Sequence, residues 1–263
     1  LSSFIPQRAW ARRIAYELVY AWPGSRHATT FNIGLAPVDA AILADPAFAG
    51  DAHQIQLYAE LFSLAGLDAE AWRHSAIIEV AAGCGGGLLY LSRRHRPRIA
   101  VGVDVSAIAA WRGRRLGVDL RQGEATRLPF EDRHFDCLVC VDALNYFVEA
   151  EFVGEAVRVL KPSGRLVLAE SSRSFAEAEG RFQRLARLGG LAVDTIRDAS
   201  EGARRSLRER NPKVTRAVAW MPPCIRRRVG EMLAIEGSDR YRRWQSGEYC
   251  LAMAVLRPQG LQD

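Results

Sequence analysis

Apolar positions along the chain follow two rhythms. Residues 7–21 place Trp10, Ile14, Leu18 and the pair Tyr20/Ala21 at helical spacing, and Trp22-Pro23-Gly24 ends that run. A second helical run, about 52–65, carries Ile55, Leu57/Tyr58, Leu61 and Phe62 and stops at Gly66. From residue 77 onward short apolar runs alternate with helical ones. Residues 77–80, 100–104, 118–120, 135–141, 166–168, 191–197 and 249–256 read as strands. Helical spacing predicts helices from about 88, from 106 to about 116, from about 149 to 160 and from 174 to 188. Strands that alternate with helices predict an α/β fold with a parallel sheet. An arginine-rich helical stretch, roughly 200–245, interrupts the alternation before the last strand.

The densest chemistry lies where the first strand ends. Ile77-Ile78-Glu79-Val80-Ala81-Ala82-Gly83-Cys84-Gly85-Gly86-Gly87-Leu88 reads as strand, glycine turn and helix start. That geometry aims backbone N–H groups and a positive helix end at a ligand. Taken alone, the glycines also suit an ordinary strand-to-helix turn. A dinucleotide loop wants a third glycine where Leu88 stands, and a phosphate loop wants Gly-Lys-Ser/Thr, which is absent. Asp104 ends the next strand 21 positions after Gly83, where a carboxylate can accept both ribose hydroxyls. The pocket therefore suits a nucleoside without a pyrophosphate. Ligands of open parallel sheets sit at the carboxyl ends of strands, which gathers Glu79, Asp104, Glu124 and Asp142 around one crevice.

At these residues the chain resembles the class I S-adenosylmethionine-dependent methyltransferases, in particular their small-molecule branch of natural-product and lipid pathways. The family loop E-x-G-x-G-x-G reads here Glu79 to Gly85, with Ala81 at the first glycine position. Gly123-Glu124-Ala125 resembles the family segment whose acidic residue accepts from the adenine amino group, and Leu160-Lys161-Pro162-Ser163-Gly164 its L-x-P-G-G turn. Phe31-Asn32-Ile33-Gly34 resembles an N-x-G-Y/W segment ahead of the core, with Leu35 in place of the aromatic. The resemblance covers about 75–260 well and the N-terminal part weakly. It implies a Rossmann-like seven-stranded, mostly parallel sheet with helices on both faces. Residues 1–74 become a helical lid, 75–199 the cofactor-binding core, 200–245 a helical cap, and 246–263 the last strand and tail. It implies S-adenosylmethionine as cofactor, held by Asn32, Glu79, Ala81, Gly83, Gly85, Asp104, Val105, Gly123, Glu124, Ala125 and Asp142.

Relatives often carry a histidine base after the fourth strand, and Asn145 occupies that place. Asparagine cannot act as a base. His27, Tyr146 and Glu170 are the remaining candidates, and a base is needed only if the attacking atom must lose a proton. The expected reaction is in-line methyl transfer to a small, largely apolar acceptor. A non-methyl reaction such as a cyclisation on the same fold is the alternative, and an RNA or protein methyltransferase a lesser one. Apolar residues of the insertion, Trp220 and Met221 among them, are expected to line the acceptor chamber.

Composition adds limits. Net charge is +6 and all basic residues but Lys161 and Lys213 are arginine, yet aromatics do not interleave with the basic runs, so no nucleic-acid partner is expected. No apolar run reaches membrane-span length and the start lacks a signal-peptide pattern, so no membrane partner is expected. Five cysteines, an odd number, point to a reducing cytoplasm. Cys137 and Cys140 lie three apart in one strand and should face opposite sides, so no metal site is expected. A homodimer stays open.

Overall fold

The structure is a computed structural model and describes residues 9–21 and 28–259. Strands β1 (Ala76–Val80), β2 (Ile99–Asp104), β3 (Asp119–Gln122), β4 (Phe135–Val141), β5 (Leu160–Ser172), β6 (Leu191–Asp198) and β7 (Cys250–Pro258) form one sheet in the order β3-β2-β1-β4-β5-β7-β6. The pairs from β3 through β5 are parallel, and β7 runs antiparallel between β5 and β6. The order reverses between β1 and β4. That is the switch point beside which open α/β sheets bind ligands, outside the carboxyl ends of the strands.

Alternate residues of each strand point to opposite faces, and each face has its own core. Ile77, Val139, Val167 and Val255 face one cluster, together with Ile55, Leu61 and Phe62 of α3 (Ala52–Leu64) and Leu88 and Leu91 of α5 (Gly86–Arg94). Ile78, Val101, Leu138 and Leu168 face the other, with Phe152 of α7 (Glu149–Val159) and Phe182 of α8 (Phe175–Gly189). Cys137 and Cys140 fall in different clusters, as their spacing requires.

The N-terminal part comprises α1 (Ala9–Ala21), a segment through Gly34, the short helices α2 (Ala40–Ala44) and α4 (Ala69–His74), and α3 between them. Helical spacing reveals α1 and α3 but not α2 or α4, which are too short to show a period. Helix α6 (Ala107–Arg115) follows β2, and Ser106 caps it by accepting from Ala109 N–H. The insertion folds as α9 (Ser200–Val218), α10 (Pro223–Leu233) and α11 (Asp239–Ser246). It packs on the N-terminal segment, where Ser206 Oγ donates to Ile33 O at 3.3 Å and Lys213 Nζ to Gly50 O at 3.0 Å.

Candidate functional site

The site begins with a backbone that turns left three times. After β1, Ala81, Gly83 and Gly85 take φ of +52°, +57° and +80°. Glycine adopts this region freely, whereas alanine gives up roughly 1–2 kcal/mol there. The turn is therefore made even where the family's glycine is missing. Its geometry is fixed by Asp104: Gly83 N–H donates to Oδ2 at 2.8 Å and Ser106 N–H to Oδ1 at 2.9 Å. One carboxylate thus ties the glycine loop to the turn that starts α6. Burial pushes this carboxyl up to about 6, against the two backbone hydrogen bonds.

Glu79 lies beneath the loop. Tyr58 Oη donates to its Oε1 at 2.6 Å, while Oε2 is buried with no hydrogen-bond partner among the described residues. Burial raises Glu79 to about 8, the Tyr58 hydrogen bond opposing it. The later glycines serve packing instead. A Cβ on Gly87 would stand 2.3 Å from the Tyr58 ring, and one on Gly86 2.4 Å from Thr29 Oγ1. Gly86 N–H donates to Thr29 O at 3.1 Å, so these two glycines let the N-terminal segment close onto the loop.

Two further strand ends complete the crevice. Gly123 N–H donates to Asp104 O at 2.9 Å, which sets the segment after β3 beside Asp104. Glu124 is exposed there and its carboxylate takes no hydrogen bond from the described residues; Ala125 is buried and Val105 half-buried. After β4, Asp142 sits at φ +52° and its Oδ1 accepts from Ser171 N–H at 2.8 Å, so its carboxylate binds β5. Asn145 and Tyr146 lie on a 3-10 turn, Leu144–Tyr146.

The expected base candidates land differently. Glu170 is buried, accepts from Leu144 N–H at 3.1 Å and Asn145 Nδ2 at 2.5 Å, and lies 3.4 Å from Arg181. Burial and the nearby Asp142 raise it to about 8, the Arg181 charge opposing them. Asn145 Oδ1 accepts from Arg181 at 2.7 Å, so its amide is held at both ends. His27 lies outside the described residues. Asn32 is turned into its own loop: Oδ1 accepts from Gly34 N–H at 2.8 Å and Nδ2 donates to Thr30 Oγ1 and Gln54 O.

The N-terminal segment covers the crevice with a row of aromatic side chains that its apolar period does not reveal. Tyr20 stands against the loop, its hydroxyl 3.3 Å from where a Cβ on Gly83 would be. Tyr16 stacks on Tyr20, Phe31 meets Tyr20 edge-on, and Tyr16 meets Tyr146 edge-on at 5.7 Å. The aromatic row Phe31–Tyr20–Tyr16–Tyr146 spans from the N-terminal segment to the turn after β4 and leaves Asp104 only 6% exposed. Glu17 fastens α1 by accepting from Ser106 Oγ at 2.7 Å and from the N–H groups of Ala107 and Ile108. Arg112 donates to Tyr20 O and Ala28 O. Of the helical-spacing set in α1, Tyr20 is buried, but Ile14 and Leu18 are 53% and 67% exposed. The Tyr16/Tyr20 spacing of four was the signal that could have found this face.

A second correction concerns the cap. Met221 packs inside it with Val218 and Ile235, and Trp220 is exposed, so Trp220 does not line a chamber here. Arg210 and Arg240 donate to Leu233 O and Met232 O at the end of α10, the favourable place for a cation on a helix.

The donor set fits a nucleoside with a cationic tail. It offers a strand-end carboxylate at the loop, an unengaged carboxylate on the next strand, left-handed backbone where a ligand can approach, and a buried carboxylate with one orphan oxygen.

Comparison with known proteins adds to this geometry. Residues 79–168 match the family model described as a methyltransferase domain. A phthiotriol/phenolphthiotriol dimycocerosates methyltransferase 1 of Mycobacterium ulcerans is 32% identical over 147 residues, which is 54% of this chain and 49% of that protein. The chain thus matches about half the length of that relative. Among solved structures, geranyl diphosphate C-methyltransferase from Streptomyces coelicolor, in complex with Mg2+, geranyl diphosphate and S-adenosyl-L-homocysteine, superposes with a TM-score of 0.65 at 17% identity, covering 93% of this chain and 98% of that one. The cyclase SpnF superposes with 0.73 at 19% identity, covering 96% and 97%. At these identities the structures share the fold.

Proposed function

We propose that this chain is a class I S-adenosylmethionine-dependent methyltransferase, as its match to a methyltransferase family model supports, and that it methylates a small, largely apolar acceptor of the natural-product or lipid type. The carrying observation is the loop-to-carboxylate contact, Gly83 N–H to Asp104 Oδ2, with Glu124 unengaged one strand further out. In this reading Asp104 accepts the ribose hydroxyls and Glu124 the adenine amino group. The left-handed backbone at Ala81, Gly83 and Gly85 gives close approach, and Glu79 Oε2 faces the cationic tail. Val105, Gly123 and Ala125 flank the base. Asp142 and Asn32 act at one remove, by shaping the strand end and the loop.

The bound cofactor supplies an electrophilic methyl group on a sulfonium. The chain's part is to hold the acceptor atom in line with it and to exclude water, and positioning of that kind supplies many orders of magnitude. The aromatic row over Gly83 serves exclusion, and residues 1–74 and 200–245 act as lid and cap. Tyr146 is the group in this row closest to the histidine place of relatives. Glu170 and Asn145 are committed to each other and to Arg181, so their role is to hold the turn that carries Tyr146. The partner is the small acceptor. The free, buried thiols of Cys84, Cys137, Cys140 and Cys250 suit a reducing compartment such as the cytoplasm.

The same crevice without a committed base also suits a second reading, in which the fold orients an acceptor for a rearrangement and no methyl is transferred. A mass-shift screen of lipid and natural-product intermediates with S-adenosylmethionine separates them. Methyl transfer gives products heavier by one methylene and equimolar demethylated cofactor. A rearranged product of unchanged mass would replace the first reading by the second.

A further inference from the structure

The turn between α9 and α10 carries an exposed apolar tip ringed by cations, which the proposed reaction does not use. Trp220 is 67% exposed and Ile225 50% exposed. Pro222 and Pro223 between them are exposed too, while Met221 points inward. Lys213, Arg216, Arg226, Arg227 and Arg228 surround this apolar tip, all exposed, and residues 212–230 contain no aspartate or glutamate.

These cations differ from five of the cap's other arginines, whereas Arg210 and Arg240, at the end of α10, also reach backbone carbonyls. Arg204 and Arg208 pair with Glu201, Arg205 with Glu209, and Arg242 and Arg243 with Asp239. At the tip, Lys213, Arg216 and Arg226 reach only backbone carbonyls, of Gly50, Pro212 and Ala219. No ion pair joins any of the five among the described residues. The chain thus concentrates positive charge without ion pairs among the described residues, Lys213 alone lying near a carboxylate, Asp51, around a large exposed indole and a branched aliphatic side chain. Water solvates the charges but not the apolar pair, and the charges repel one another. An anionic interface with an apolar interior relieves both at once. Indole rings favour headgroup level, and each lysine or arginine near an anionic surface adds to binding.

We infer that the α9–α10 tip docks on the surface of an anionic lipid bilayer, with Trp220 and Ile225 entering the headgroup layer and the five cations meeting lipid phosphates. The charge pattern chooses a bilayer over a nucleic acid, because a single indole beside isoleucine and two prolines offers no row of stacking platforms. Placement agrees. Lys213 reaches Gly50, next to Asp51, which accepts from the N–H and Oγ1 of Thr29, the residue that closes on Gly86. Docking would therefore set the cover of the crevice against the interface where an apolar acceptor dwells. The expectation of no membrane partner rested on spanning length, and no described helix is long and apolar enough to cross a membrane. Surface docking makes no such demand.

The test is co-sedimentation of the full chain with vesicles of phosphatidylcholine alone or mixed with phosphatidylglycerol, without cofactor. Neither arm depends on the proposed reaction. The protein should pellet with the mixed vesicles, stay soluble with phosphatidylcholine alone, and be released by high salt. Trp220→Ala and the triple variant Arg226→Gln/Arg227→Gln/Arg228→Gln should each lower the partition coefficient by about fivefold or more. Both should keep their binding of S-adenosylhomocysteine, which reports an intact fold. Failure to pellet, equal pelleting with both vesicle types, or undiminished pelleting of the variants overturns the inference. So does retention on RNA in place of vesicles.

Discussion

Glu79 shows how a single side chain can be set by what surrounds it. Its ordinary value is 4.5, and burial lifts it to about 8 in the folded, cofactor-free protein. Between those values the fold holds a proton that the unfolded chain releases. Stability from this group is therefore intact below about 4.5 and is lost as pH rises through about 8. Glu79→Gln should remove that dependence while leaving a pH-independent offset from the amide placed where Oε2 was. Thermal unfolding from pH 5 to pH 9 checks it: the wild-type midpoint should fall more steeply than that of the variant, and parallel curves would contradict the buried, protonated Glu79. Parts of this site were legible from residues alone. A strand-end aspartate at a fixed interval beyond the glycines is a local signal, and it does meet Gly83. The contacts of Asn32 and Glu170 were not legible, because they reach residues distant in the chain, Gln54 for one and Asn145 for the other. Ala81 was legible as a departure, though a sequence cannot say that the backbone there keeps its left-handed turn.

At the scale of elements, α1 decides access to the crevice. Its hydrophobic period predicts a helix and the helix is there, but of the period's members Tyr20 faces inward while Ile14 and Leu18 face out. Aliphatic residues weigh more than tyrosines in such a reading, and only the position of α6 shows that Tyr16, Glu17 and Tyr20 face inward. Glu17 does for α6 what an N-terminal cap does, by accepting from its first N–H groups. Glu17→Ala should cost about 1 kcal/mol in docking α1, on the scale of a lost cap. Ligand entry to Asp104 requires α1 to move, so hydrogen exchange in residues 9–21 and 28–36 should slow when S-adenosylhomocysteine is bound. Glu17→Ala should raise exchange in the free protein. Identical exchange with and without ligand would contradict the lid. The strands and long helices of the core were legible because burial on both faces writes uninterrupted apolar runs between turn signals. Helices α2 and α4 hold only five and six residues, too few to write a period.

The whole molecule is one seven-stranded sheet with a crevice at the carboxyl ends of its parallel strands. The reversal of strand order between β1 and β4 places the glycine loop and the turn after β4 side by side. N-terminal residues stand over the glycine loop, and the insertion packs on the N-terminal segment. This assembly was legible as a fold class. The inner surface of the covers was not, because Trp220 and Met221, adjacent in sequence, point to opposite sides. The central claim is that the crevice binds S-adenosylmethionine through Asp104 and Glu124. Isothermal titration of the wild type, Asp104→Ala and Glu124→Ala with S-adenosylmethionine and its demethylated product tests it most directly. The account predicts micromolar-range binding to the wild type. Asp104→Ala should weaken it by at least about tenfold, from the loss of charge-assisted hydrogen bonds worth roughly 1.5–3 kcal/mol each, and Glu124→Ala by less. Absence of binding to either compound, or affinity unchanged by both substitutions, would contradict it.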